Sequence, residues 1–243
     1  MNPVIVIPTY DEAAALPSLL DRILGLPSAF DVLVVDDASP DGTGAIADDY
    51  AGRTNGRIRV LHRSGKLGLG SAYRDGFTRA MAEGAAIVVE MDADHSHNPK
   101  YLPLLAAAVE NGADLAIGSR YVRGVRVENW PFRRLMLSRF ANFYVNRATG
   151  LPMGVVSDAT SGFRAYRRDV LEAIHLPSVT SNGYFLQIEM AFRAWRLGYR
   201  VVEVPITFEE HYLTSSKISG PIVWEAIWRT PALRLTAPRS RRR

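Results

Sequence analysis

The 243-residue chain has no cysteine. That excludes disulfides and thiolate metal sites, and it fits a reducing compartment. It also lacks the uninterrupted run of roughly 18–20 apolar residues that a spanning helix needs. Met1-Asn2-Pro3 leads into an apolar strand with no basic leader and no small-residue cleavage site, so a signal peptide is not expected. Lysine is scarce: of 29 basic residues only Lys66, Lys100 and Lys217 are lysines. Arginine grips phosphate through a planar fork, so this bias is compatible with phosphate-bearing ligands. Genome composition explains the bias at least as well. There is no GxxxxGK[ST] phosphate loop and no helical HExxH zinc pair. No nucleic-acid partner is expected.

What is present is an alternation of apolar runs and helical patterns. Strands are expected at Val4–Ile7, Val32–Val35, Arg59–Leu61, Ala86–Met91 and Leu115–Ile117. Helices are expected near Ala13–Leu24, Thr43–Tyr50, Ser71–Met81 and Tyr101–Glu110. Strands apolar throughout, alternating with helices, imply an α/β fold with a mostly parallel sheet covered on both faces. Beyond Gly118 the pattern changes. A long helix should start at Pro131 and end near Gly150, followed by a strand end and turn at "SGFRAYRRD" and a helix at "YFLQIEMAFRAWRLG". A late strand, "YRVVEVPITF", and a terminal helix that Pro231 must break or kink complete the chain. The expectation is one domain over 1–235, with a nucleotide-binding half to about 120, an acceptor half to 235 and a basic tail at 236–243.

In open parallel sheets, ligands sit beyond the carboxyl ends of the strands. Here those ends read "PTYDE", "VDDASPDGT", "MDADHS" and "GSRY". Residues two apart in an extended chain point the same way, so Asp92 and Asp94 project together. Paired carboxylates repel unless a cation or proton joins them, and a divalent metal is the natural partner. Helix capping is the rival explanation, but Asn98 before Pro99 already supplies a cap. His95 and His97 have no third ligand nearby and are expected to pack or to bond backbone at a turn. Asp36 and Asp37 close the second strand, where an acid can hold a ribose hydroxyl, although "SPDG" is also a turn. "GLGSA" admits two readings, a loop against substrate or a helix start.

These motifs together resemble the inverting family 2 glycosyltransferases with a GT-A fold, and within them the dolichol-phosphate (polyprenol-phosphate) mannose synthases. The resemblance rests on "PTYDEAAALPSLL", "VLVVDDASPDGT", "GLGSAYRDGF", "MDADHSHNPKYLP", "GSRYVRG", "SRFANFYVN", "DATSGFRAY", "GYFLQIEMAFRAWRLGYRVVEVPITF" and "SSKISG", in order along nearly the whole chain. It implies GDP-mannose as donor, a polyprenyl phosphate lipid as acceptor and Mg²⁺ or Mn²⁺ as cofactor. It implies that Pro8, Tyr10 and Glu12 hold the base and ribose, with Val35 and Asp37 as a second nucleotide-binding pair. Asp92, Ala93 and Asp94 match the metal–diphosphate motif, Asp94 as the more direct ligand. Arg120 matches an arginine that reaches substrate phosphate, and Ser216-Lys217 a loop that closes over the donor. Two departures stand out: His211 where the family often has arginine, and Ser96 where some relatives have a metal-ligating glutamine.

The chemistry follows from these parts. A metal would neutralise the departing diphosphate. An acceptor phosphate is already anionic and needs no strong general base, but it needs arginines to align it, for which Arg120, Arg134 and Arg139 are candidates. A lipid acceptor requires a membrane surface, and "RRLMLSRFANFYV" and "IVWEAIWRTPALRL" have the mixture of basic, aromatic and aliphatic residues of interfacial helices. Ordinary core-facing helices would explain both stretches as well. Without a spanning helix the chain is expected to sit on the cytoplasmic face of a membrane, peripherally or docked on a membrane-anchoring protein partner. Three other readings stay open: transfer from a UDP-sugar such as UDP-glucose, a non-catalytic nucleotide-sugar binding module, and a phospho-receiver using Asp36 or Asp37.

Overall fold

The computed structural model describes residues 2–152, 154–181, 183–209 and 228–235. Its centre is a seven-stranded sheet. The first four strands, β1 (Val4–Thr9), β2 (Asp31–Asp36), β3 (Ile58–His62) and β4 (Ile87–Glu90), run parallel, in the order β3-β2-β1-β4. Helices α1 (Leu16–Leu24), α2 (Thr43–Arg53) and α3 (Leu69–Ala82) connect them, and α4 (Leu102–Glu110) follows β4. β5 (Leu115–Ser119) is not β4's neighbour. Between them lies β7 (Arg164–Arg167), antiparallel to both, and β8 (Val201–Pro205) pairs with the far side of β5. The sequence marked "SGFRAYRRD" only as a strand end and turn. The four residues of β7 carry no pattern that would reveal a central, reversed position.

The late strand is divided. Its first part is β8. Phe208 and Glu209 form β9, which leaves the sheet and pairs with β6 (Val127–Glu128) in a two-stranded ribbon. α5 (Phe132–Thr149) is the long helix expected from Pro131, and Gly150 ends it in the left-handed conformation that glycine adopts at no steric cost. α6 (Arg168–Ile174) and α7 (Tyr184–Arg196) follow. Residues 228–235 are helical straight through Pro231, so the expected break does not occur there.

Each face of the sheet has its own core. α1, α2 and α4 cover one face with Leu16, Leu20, Ala47, Leu102 and Leu105; α3, α6 and α7 cover the other with Phe77, Leu171, Phe185 and Phe192. Strands buried on both faces explain the continuous apolar runs. α3 packs hardest. A Cβ at Gly76 would stand 2.4 Å from Val6 Cγ1 and 3.0 Å from Val35 Cγ2, so the glycine is there for close helix–sheet packing.

Candidate active site

The carboxyl ends of β1, β2, β4 and β5 line one edge of the sheet, and the amino end of β7 meets them there. Ala93 is buried in the core while Asp92 and Asp94 are only half-buried, as alternation along an extended chain requires. The Tyr73 hydroxyl, from α3, donates to Asp92 Oδ1 at 2.7 Å. About 37% of the Asp92 side chain stays exposed. Burial, and then the Asp94 charge, raise the Asp92 pKa above the ordinary carboxylate value; His97 and Tyr73 act in the opposite direction. Burial, followed by the Asp92 and Glu90 charges, pushes the Tyr73 hydroxyl well up. Asp94 Oδ1 accepts the Ser96 N–H at 3.0 Å.

His97 accepts the Asp92 N–H on Nδ1 at 3.1 Å and stacks on Phe163 with centroids 4.9 Å apart. It packs and bonds backbone, as expected, and no group of three or more His, Cys, Asp or Glu able to hold a metal forms among the described residues. His95 sits at a turn with φ 64° and meets Ser18 Oγ at 3.0 Å. Asn98 caps the turn before α4 by accepting the Lys100 N–H.

At β1 and β2 the carboxylates are engaged inside the protein. Asp36 accepts hydrogen bonds from Thr9 Oγ1, Ser39 Oγ and Ser39 N at 3.0, 2.6 and 3.2 Å. Asp37, also buried, pairs with Arg63 and accepts the Leu67 and Gly68 N–H groups. An acid so enclosed is a poor phosphoacceptor. "GLGSA" proves to be a helix start, with Gly68 at the cap of α3 at φ 96°. Pro8 and Val35 are register partners across β1 and β2. Val35 is fully buried, and its side chain packs toward Gly76 of α3. Tyr10 and Glu12 follow β1, and the Glu12 N–H donates to Thr43 Oγ1 at 3.0 Å.

The arginines form a second constellation. Asp158, fully buried, takes Arg120 Nε and Nη2 in a fork at 2.7 and 2.6 Å, and Nη2 also donates to Thr160 Oγ1. Burial opposes ionisation of Asp158, but the guanidinium prevails and holds its pKa below the ordinary value. The guanidinium lies 5.3 Å from the Trp130 ring and 5.4 Å from Tyr121. Arg134 stacks on the same Trp130 at 4.3 Å, and Arg139 lies 5.4 Å from the same Tyr121. Three candidate arginines thus share two rings. His211 and Lys217 lie outside the described residues, as do Ser216 and Trp224.

Reading the sequence missed the support beneath the acids. Glu90, the last residue of β4, is fully buried beside the buried Arg164. Burial pushes its pKa up to about 8 against Arg164's opposing charge. It is held by Gln187 and by the Tyr166 hydroxyl at 3.2 Å. Arg164 donates to three backbone carbonyls, of Ala159, Ser161 and Gln187, each at 2.7 Å. A glutamate ending an apolar strand was the available signal. A Cβ at Gly162 would lie 3.6 Å from Asp92 Oδ2, His97 Cε1 and Gln187 Nε2, so the "TSGFR" turn passes directly against the acid pair.

Comparison with known proteins gives a consistent result. The family model described as "Glycosyl transferase family 2" matches residues 4–174. The chain is 50% identical over 225 residues to the polyprenol monophosphomannose synthase of Mycolicibacterium smegmatis, covering 93% of this chain and 84% of the relative. It is 49% identical to the undecaprenyl-phosphate mannosyltransferase of Micrococcus luteus, covering 93% and 91%. Among solved structures, glucosyl-3-phosphoglycerate synthase from Mycobacterium tuberculosis superposes with a TM-score of 0.72 at 22% identity, over 98% of this chain and 81% of that one.

Proposed function

The chain belongs to glycosyl transferase family 2 and is a glycosyltransferase with the GT-A fold, and from that premise we propose that it transfers mannose from GDP-mannose to a polyprenyl monophosphate at the cytoplasmic face of a membrane. The observation that carries this is the relative 50% identical over 93% of the chain, a polyprenol monophosphomannose synthase by name. The site is compatible with it in three respects.

The first is the acid pair. Asp92 and Asp94 each receive hydrogen bonds from the protein without being enclosed by them. Two half-exposed carboxylates with no third protein ligand among the described residues suit Mg²⁺ or Mn²⁺, which fill their shell with water and phosphate oxygens. When bound, such an ion neutralises charge on the departing diphosphate. Tyr73 and His97, itself stacked on Phe163, hold Asp92 in place.

The second is the arginine group. Asp158 fixes Arg120 at the mouth of β5, and α5 brings Arg134 and Arg139 to the same rings. Arginines so oriented align an anionic acceptor phosphate with the anomeric carbon, and a single displacement inverts that centre.

The third is the outer face of α5. Phe132, Met136, Phe140 and Phe143 are 74, 52, 65 and 51% exposed, and at this spacing they form one stripe. Exposed Arg133, Arg139 and Arg147 interleave with it. Phenylalanines beside arginines suit the headgroup–acyl boundary of a bilayer. No described helix is long and apolar enough to cross one. Labelled GDP-mannose incubated with membranes and the purified chain should yield a mannose-labelled lipid on organic extraction. Label appearing only with UDP-glucose would replace the donor, and label from neither would refute the reading.

A further inference from the structure

Arg134 and Arg139 ride on α5, whereas Arg120 directly follows β5. The three meet one phosphate only if helix and strand are held in register. Apolar packing does little of this. Four residues of α5 are buried, Asn142, Val145, Asn146 and Thr149, and three of them are polar. A helix seated by an ordinary core buries an apolar stripe instead. Two of the polar side chains reach the segment before β7. Asn146 Nδ2 donates to the Val156 carbonyl at 2.8 Å, and Asn142 Nδ2 donates to Thr160 Oγ1 at 3.2 Å. One turn earlier, Ser138 Oγ accepts the Tyr121 hydroxyl at 2.6 Å. Ser138, Asn142 and Asn146 follow one another at every fourth position, so the three ties lie in one row.

Thr160 is where this row meets the arginine fork. A hydroxyl has one proton to donate and two lone pairs with which to accept. Thr160 Oγ1 accepts from Arg120 Nη2 at 2.8 Å and from Asn142 Nδ2 at 3.2 Å, and it donates to Asp158 Oδ1 at 3.2 Å. All three places are taken, so the hydroxyl cannot turn and its oxygen stays toward the guanidinium. We infer that Asn142 is a positioning residue for transfer: through Thr160 it holds Arg120 in register with Arg134 and Arg139. Only 3% exposed, it acts through Thr160 and not on a substrate. This rests on the reading above, in which these arginines align an acceptor phosphate. Without the amide the hydroxyl is free to turn and Arg120 loses its fixed rest. The Ser138 and Asn146 ties remain, so α5 keeps its seat. Little else is lost with the side chain. Asn142 Oδ1 has no hydrogen-bond partner among the described residues, and the Ser138 carbonyl, which Nδ2 also reaches at 3.0 Å, keeps its helical N–H.

The test is mannolipid formation by the full chain from GDP-mannose on vesicles bearing polyprenyl phosphate, with flotation and thermal melts alongside. Asn142→Leu should lower the acceptor kcat/KM by about tenfold while vesicle binding and Tm hold. Thr160→Val should lower it at least as much, and the double variant no further than Thr160→Val alone, because both changes cut one chain of contacts. Should Asn142→Leu melt early, Asn142→Asp, which keeps the shape and sets an acceptor where the donor stood, should show the same loss. An unchanged kcat/KM, or losses that multiply in the double variant, would overturn the inference. So would a loss matched by weaker flotation, which would reduce Asn142 to a seat for α5 on the membrane. A wild-type chain that transfers no mannose would instead remove the reading on which the inference rests.

Discussion

The two ends of the crevice are built from opposite materials. At the end proposed to take the donor, carboxylates are tied by backbone amides, hydroxyls and one arginine: Asp36 to Ser39 and Thr9, Asp37 to Leu67, Gly68 and Arg63, Asp94 to Ser96. At the end proposed to take the acceptor, arginines lie against aromatic rings, and the helix that carries two of them turns a phenylalanine stripe outward. The first design fixes short side chains to within hydrogen-bond tolerance. The second leaves long side chains their reach and keeps the rings as rests. The proposed substrates, a soluble nucleotide sugar and a lipid-borne phosphate, would call for that difference, and each prediction below strikes one end or the joint between them.

The joint is Asp158, and the largest effect is expected there. Asp158→Asn leaves Arg120 buried beside a neutral amide, which should cost about 3–5 kcal/mol of stability and raise the KM of donor and acceptor together. Chemical denaturation and steady-state kinetics measure both. A rise confined to the acceptor KM would move the joint wholly into the acceptor end.

Glu90 ends β4 two residues before Asp92 and is held by Gln187 and Tyr166. Its folded pKa is about 8 against an ordinary 4.5, so between those values the folded chain holds a proton that the unfolded chain has released. Stability is then greatest below the ordinary carboxylate value and falls as pH rises toward 8. The difference is on the order of a few kcal/mol. Thermal melts across that range should show the decline, and Glu90→Gln should flatten it; an unchanged slope would show that Glu90 does not titrate there.

Smaller effects belong to α5. Met136→Asp with Phe140→Asp should reduce binding to vesicles of anionic lipid by at least about tenfold while leaving GDP affinity unchanged. Flotation and titration separate the two. Arg134→Ala should raise the acceptor KM by about tenfold and the donor KM little, and equal rises would break the division into two ends.

Local pattern made some of this legible and not the rest. β1 to β4, their helices and the acid pair follow from apolar runs, caps and alternation, all encoded within about ten residues. α5 shows in its opening Pro131 and closing Gly150. The reversed insertion of β7 between β4 and β5 does not show, because four residues carry no direction. The Arg120–Asp158 fork joins positions 38 apart, and no local rule links them. Of the break or kink expected at Pro231, the break is absent, since residues 228–230 and 232–235 are helical on either side of it.

The central claim is that Asp92 and Asp94 hold a divalent cation against the leaving nucleotide. Its most direct test is the rate of mannolipid formation by Asp94→Asn and wild type on vesicles bearing polyprenyl phosphate, each with and without Mg²⁺ or Mn²⁺. Wild-type transfer should require the metal, and the variant, with Tm unchanged, should lose about two to three orders of magnitude in rate. Undiminished transfer by the variant, or transfer by wild type in chelator, would contradict the account.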